Sequence, residues 1–266
     1  MSSENGAKPA LASASVWSLV LNIFSKSQTI TLLAAGSVLG GLVGVGVIVT
    51  ASAATVLGCA LASFGLAGEL ARLSVAYPNR PMVRRSARAI AKQAPLAVLI
   101  APAAYILVGP TAGTFWLFLA IGLTSCFLVA TMALTAILNG LGDFRSPALR
   151  VGGARLVAGL AAIGAAAIHP DPALVIGCFG AAEAFGVGAL ALSVRDAHSR
   201  LPEVDHPEAH VKRERLWFGV AAVVSLVTNQ ADTLLVASIL SPQDLGLFAT
   251  ASTLENGVAT FATASA

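Results

Sequence analysis

Six residues buried in apolar sequence are the ones equipped to do chemistry in this chain: Lys26, Asn22, Glu183, Asn229, Asp232 and Glu255. Each sits in a run long enough to cross a bilayer. An ionised side chain there costs about 2.5–3.5 kcal/mol on insertion scales, so it faces a partner, a cavity or a pathway. Lys26 lies near the middle of the first run, where Ser18, Asn22, Ser25 and Thr29 recur at helical spacing and put a polar stripe on its side. The seventh run repeats the idea with Ser225, Asn229 and Asp232, and the eighth with Ser252, Glu255, Asn256 and Thr260. A cation on such a stripe suits an anionic cargo group. A carboxylate suits a coupling proton or sodium ion, or it simply pairs with Lys26 across a helix interface. Glu183 reads as a lone carboxyl among alanines and glycines, able to carry a proton. Glu69 and Arg72, three residues apart, read as a local pair at the end of the second run.

Other chemistries lack their residues. Gly109-Pro-Thr-Ala-Gly113-Thr114 has no Gly-Lys-Ser/Thr ending to grip a nucleotide, so it reads as a turn. His198, His206 and His210 fall in a charged stretch without ligand spacing, and Cys59, Cys126 and Cys178 lie in three separate apolar runs. No metal, cofactor, disulfide framework or enzyme constellation is expected. Basic residues are not interleaved with aromatics as a nucleic-acid surface requires, so no nucleic-acid partner is expected.

The elements that must position these residues are set by composition. Apolar residues make up 56% of the chain and charged ones 11%, against roughly a quarter charged in soluble domains. The apolar runs are 14–38, 43–70, 93–109, 113–139, 150–168, 172–194, 215–240 and 244–266. Each is near the roughly 20 residues that cross a bilayer as a helix. Pro102 is expected to kink the third. Residues 1–15 carry only Lys8 as a positive charge, and the first apolar run is too long and polar for the core of a cleaved signal.

The connections alternate. Arg72, Arg80, Arg84, Arg85, Arg88 and Lys92 fall between runs two and three; Arg145, Arg150 and, just inside the helix, Arg155 between four and five; and Arg195, Arg200, Lys212, Arg213 and Arg215 after six. The turns at Gly40-Gly41, Gly109-Pro110, His169-Pro-Asp-Pro172 and Ser241-Pro-Gln-Asp244 contain no lysine or arginine. The positive-inside rule makes the first set, and the N-terminus, cytoplasmic. Gly36, Gly40 and Gly44 straddle the first turn and predict a tight hairpin.

Residues 28–46 reappear, diverged, at 230–248. Gln28, Thr31, Leu32, Leu33, Ala35 and Gly44 align without a gap on Gln230, Thr233, Leu234, Leu235, Ala237 and Gly246, an offset of 230 − 28 = 202 residues. Six runs fill the interval, so the second copy enters the membrane in the same direction as the first, as parallel repeats do. The predicted fold is an all-α polytopic membrane protein. It comprises a six-helix bundle over 1–194, a solvated charged linker over 195–215, and over 216–266 the first two helices of a second, parallel repeat. The last run reaches Ala266 without a polar tail, so the sequence is expected to be truncated by about four spans.

The stretch Asn229-Gln-Ala-Asp232 through Gly246-Leu-Phe248 to Ala251 resembles the seventh-to-eighth helix signature of polysaccharide flippases. These belong to the multidrug/oligosaccharidyl-lipid/polysaccharide exporter superfamily. Phe64-Gly65-Leu66 with Arg72, and Asn139-Gly-Leu-Gly-Asp-Phe-Arg145, are similar too, whereas Gly40-Gly41-Leu42-Val43 lacks the acidic or proline residues common at that turn. The resemblance implies two six-helix bundles around a cavity that opens alternately to each side. The cargo it implies is a lipid-linked glycan whose phosphate Lys26 would attract, with Asp232 coupling an ion or holding Lys26. A proton- or sodium-coupled multidrug exporter of the same superfamily, or a membrane assembly subunit without transport activity, are the alternatives. The lysine and the basic balance weigh against the exporter.

Overall fold

The computed structural model describes the backbone of residues 4–108, 113–203 and 211–264, and most of their side chains. Among the described residues the chain is helical, with no strand. The protein is an all-α polytopic membrane protein: five helical stretches are long and apolar enough to cross a bilayer. They are Ser15–Ser63, Arg80–Leu107, Phe115–Gly140, Arg145–Ile168 and Pro172–Arg200.

The first stretch is two arms of one element, α1 (Glu4–Ser63). Gly40 is extended (φ −179°), and Gly41 takes φ 59°, ψ −137°, a conformation that suits a residue without a Cβ. The chain reverses there, because Gly36 lies on the backbone of Val45 and Gly44 on the carbonyl of Gly36. The glycine run thus makes the hairpin the spacing predicts. The long first stretch therefore supplies two crossings.

The second predicted run, 43–70, is interrupted. Phe64 and Gly65 take φ 33° and 78°, and the chain resumes as α2 (Leu66–Ala76). A phenylalanine with positive φ is an uncommon, strained conformation that its surroundings must hold. What holds it is the start of α8 (Val211–Ile239): the Phe64 ring lies on Gly219, Gly65 on the backbone of Phe218 and Gly219, and Gly68 on the Phe218 ring.

The helical stretch of the third crossing begins before its apolar run, at the basic end. α3 (Arg80–Gln93) is amphipathic, burying Met82, Val83, Ser86 and Ile90 and exposing Arg84, Arg85, Arg88 and Lys92. Asn79 caps it, its Oδ1 accepting from the Met82 N–H at 2.8 Å. A single 3-10 turn, Ala94–Leu96, joins it to α4 (Ala97–Val108). Pro102 lies inside α4, and a change of helix type comes at Pro95. α5 (Phe115–Gly140), α6 (Arg145–Ile168) and α7 (Pro172–Arg200) complete the first bundle, and α9 (Pro242–Ala264) comes after α8. Helices pack closely through small residues: Gly58 on Ala101, Gly122 on the Val98 backbone, and Gly180 on Thr124.

The three basic connections meet at one end of the bundle. The Arg80 N–H donates to the Pro202 carbonyl at 3.1 Å, and its guanidinium to the Ser199 carbonyl at 3.0 Å. Glu203 lies 3.8 Å from both Arg80 and Arg84. Within the linker, residues 195–200 continue α7, and Leu201–Glu203 contact α3 through Arg80 and Arg84 while Pro202 and Glu203 stay exposed. At the opposite end the two turns meet, with Gly46 against the backbone of Pro242 and Gly246 against that of Leu42. α8 therefore leaves the basic end beside Phe64 and reaches the other end beside Gly46, as the first arm of α1 does.

Candidate functional site

The charge chemistry inside the first bundle centres on α6 and α7. Arg155 Nε donates to Glu183 Oε1 at 2.6 Å, with the two side chains 14% and 2% exposed. Both lie mid-helix, at the eleventh residue of α6 and the twelfth of α7. This overturns the reading of Glu183 as a lone carboxyl, and places Arg155 deeper in its helix than the start of the run, where its sequence position groups it with Arg145 and Arg150. The reason is geometric. Arg155 lies 170 − 155 = 15 residues before Pro170, and Glu183 lies 183 − 170 = 13 after it, so the hairpin brings them to one depth. Removing two charges from water is offset only when each finds its partner and further hydrogen bonds.

Around the pair, Thr131 Oγ1 donates to the Glu183 carbonyl at 3.4 Å. The first arm of α1 packs on α6 to either side, Phe24 against Gly152 and Thr31 against Gly159. Glu183 Oε2 is buried and has no hydrogen-bond partner among the described residues. The arrangement is a net-neutral clamp between α6 and α7 with one carboxylate oxygen to spare.

Lys26 lies apart from it. Its side chain is exposed. It is two residues, about 200° around a helix, from Phe24, which faces α6. The structure does not bring Lys26 to Glu183. Thr29 on the polar stripe is also exposed, and Gln28 is half-buried. The side chains of Asn22, Asn229, Asp232 and Glu255 lie outside the described residues, and with them the pairing of Lys26 with Asp232.

No family model, no curated protein and no solved structure matches this chain. The geometry alone must bear any reading of function.

The residue that spacing along the chain passes over is Arg155. Its signal is its depth, ten positions beyond Arg145, where α6 begins. Among the described residues no group of three or more His, Cys, Asp or Glu is arranged to hold a metal ion.

Proposed function

We propose that the protein moves a lipid-linked oligosaccharide across the cytoplasmic membrane by alternating access. The observation that supports this most is the pairing of two turns, Gly40-Gly41 and Ser241-Pro242, at the same end of the bundle. The helices leading into them, the first arm of α1 and α8, run in the same direction and carry the sequence repeat at an offset of 202 residues. Units that enter the membrane in one direction fit parallel-repeat transporters, whose sites lie between repeats near the midplane. On this reading the basic end is cytoplasmic, and so is the N-terminus.

Lys26 is the cation we assign to the phosphate of the lipid carrier. It is exposed, while the deepest acid of the first bundle, Glu183, is already engaged by Arg155. That balance favours an anionic cargo over the cationic drugs that an acidic cavity would draw. Asp232 is assigned either to a coupling ion, proton or sodium, or to holding Lys26.

Glycan export in cells that depend on the protein tests this reading. Lys26→Ala should reduce export at unchanged protein abundance, and Lys26→Arg should keep part of it. Full recovery of abundance and export in Lys26→Ala with Asp232→Ala would reduce both residues to a structural pair and end their transport role.

A further inference from the structure

At the basic end, the helix ends of α2, α5, α6 and α7 enclose a cleft of about 660 Å³. That is within the roughly 300–1,000 Å³ of small-ligand sites. Its lining is mixed in charge: Arg150 and Arg200, Asp143 and Asp196, with the hydroxyls of Ser74 and Ser193. Ser193, Asp196 and Arg200, three and four residues apart, share one face of α7. Arg150 reaches across from α6 and donates through one nitrogen to the Ala189 carbonyl and to Ser193 Oγ. Asp143 Oδ1 accepts from the Ser146 N–H at 3.0 Å, which fixes that carboxylate at the start of α6. Asp196 and Arg200, one turn apart, make no ion pair with each other, and neither side chain has a partner among the described residues.

We propose that this cleft holds the headgroup of an aminophospholipid, a phosphate ester of a primary ethanolamine. Two guanidiniums from separate helices suit a phosphate, which arginine binds through forked, charge-assisted hydrogen bonds. Two carboxylates lining the same cleft, Asp143 before α6 and Asp196 on α7, repel a purely anionic headgroup and instead accept from an ammonium. A ligand carrying both charges satisfies all four groups. The site also lies where such a ligand is found. It sits among the basic connections, the level at which pockets between transmembrane helices take lipid headgroups. This inference does not depend on what the protein transports.

Native mass spectrometry of the full chain in detergent tests it, with phosphatidylethanolamine, phosphatidylglycerol and phosphatidylcholine of identical acyl chains. The unaltered protein should retain phosphatidylethanolamine about tenfold more tightly than either of the others, the scale of one charge-assisted contact. Asp196→Asn should remove the preference over phosphatidylglycerol, and Arg200→Ala should weaken retention of all three. Both side chains are exposed, and thermal unfolding of each variant checks that it folds. Equal retention of the three lipids by the unaltered protein overturns the proposal, and needs no variant to do so. Preference for phosphatidylglycerol overturns it in favour of a simple anion site. Displacement of the lipid by equimolar glycerophosphoethanolamine would overturn the lipid as the source and leave a soluble phosphoamine.

Discussion

Arg155 and Glu183 meet at 2.6 Å in the middle of two adjacent crossings, each the other's partner in an apolar bundle. The pair ties α6 to α7 mid-helix, with the Glu183 side chain 2% and the Arg155 side chain 14% exposed. It makes the α6–α7 hairpin a unit with a specified register, since sliding either helix by one turn would separate the charges.

Breaking the pair should destabilise the bundle. Arg155→Ala or Glu183→Ala is expected to cost about 3–5 kcal/mol by stranding a buried charge. Arg155→Met with Glu183→Leu should recover most of it. Thermal unfolding in detergent, followed by light scattering, measures this. Single changes as mild as those at exposed sites would show that the pair does not stabilise the fold.

The contact between the two turns rests on glycines. Gly46→Leu or Gly246→Leu places side-chain atoms inside the backbone of Pro242 or Leu42 and should lower folded yield sharply. Gly164→Ala, in open space on α6, serves as the control and should leave yield unchanged. Size-exclusion profiles after solubilisation compare the three.

Sidedness is checked with single cysteines on a cysteine-free background. Ala87 on α3 is exposed, as is Gln243 at the other end. In intact cells an impermeant maleimide should label Gln243→Cys and spare Ala87→Cys until the membrane is opened. Labelling of Ala87→Cys from outside reverses the orientation.

The break at Phe64-Gly65 predicts a graded response. Gly65→Ala adds a Cβ at positive φ and against Gly219, so it should cost more than the roughly 1–3 kcal/mol of conformational strain alone. Gly219→Ala meets the Phe64 ring, which can move, and should cost less. Unfolding midpoints order the two variants.

Much of the fold is legible in the sequence because lipid imposes a simple rule. Apolar runs have to be crossings, and lysine and arginine have to gather at one end. The Gly36-Gly40-Gly44 spacing is readable as a hairpin because small residues on both sides of a turn have one use there. Other features depend on tertiary partners. The interruption at Phe64-Gly65 is held by Gly219, more than 150 residues away, and no local pattern announces it. Leu201–Glu203 docks because Arg80 and Arg84 present their donors to it, a fact of packing. Arg155 reads as one more charge of the basic connection, just inside its helix, while its proximity to Arg145 and Arg150 outweighs its depth. Counting outward from Pro170 pairs it with Glu183 instead.

The turn at Gly40-Gly41 also bears on how the protein is made. Two glycines leave almost no polar chain to be carried through the bilayer, so the two arms of α1 can enter together as a pre-folded wedge, closed by the Gly36–Val45 contact. Little in the first arm fixes its direction, since residues 1–15 offer only Lys8. On the orientation proposed above, the strongest retention signal is the cluster from Arg72 to Lys92, synthesised after both arms. Biogenesis should therefore be decided late: the ribosome must release α3 before the first two crossings commit to an orientation.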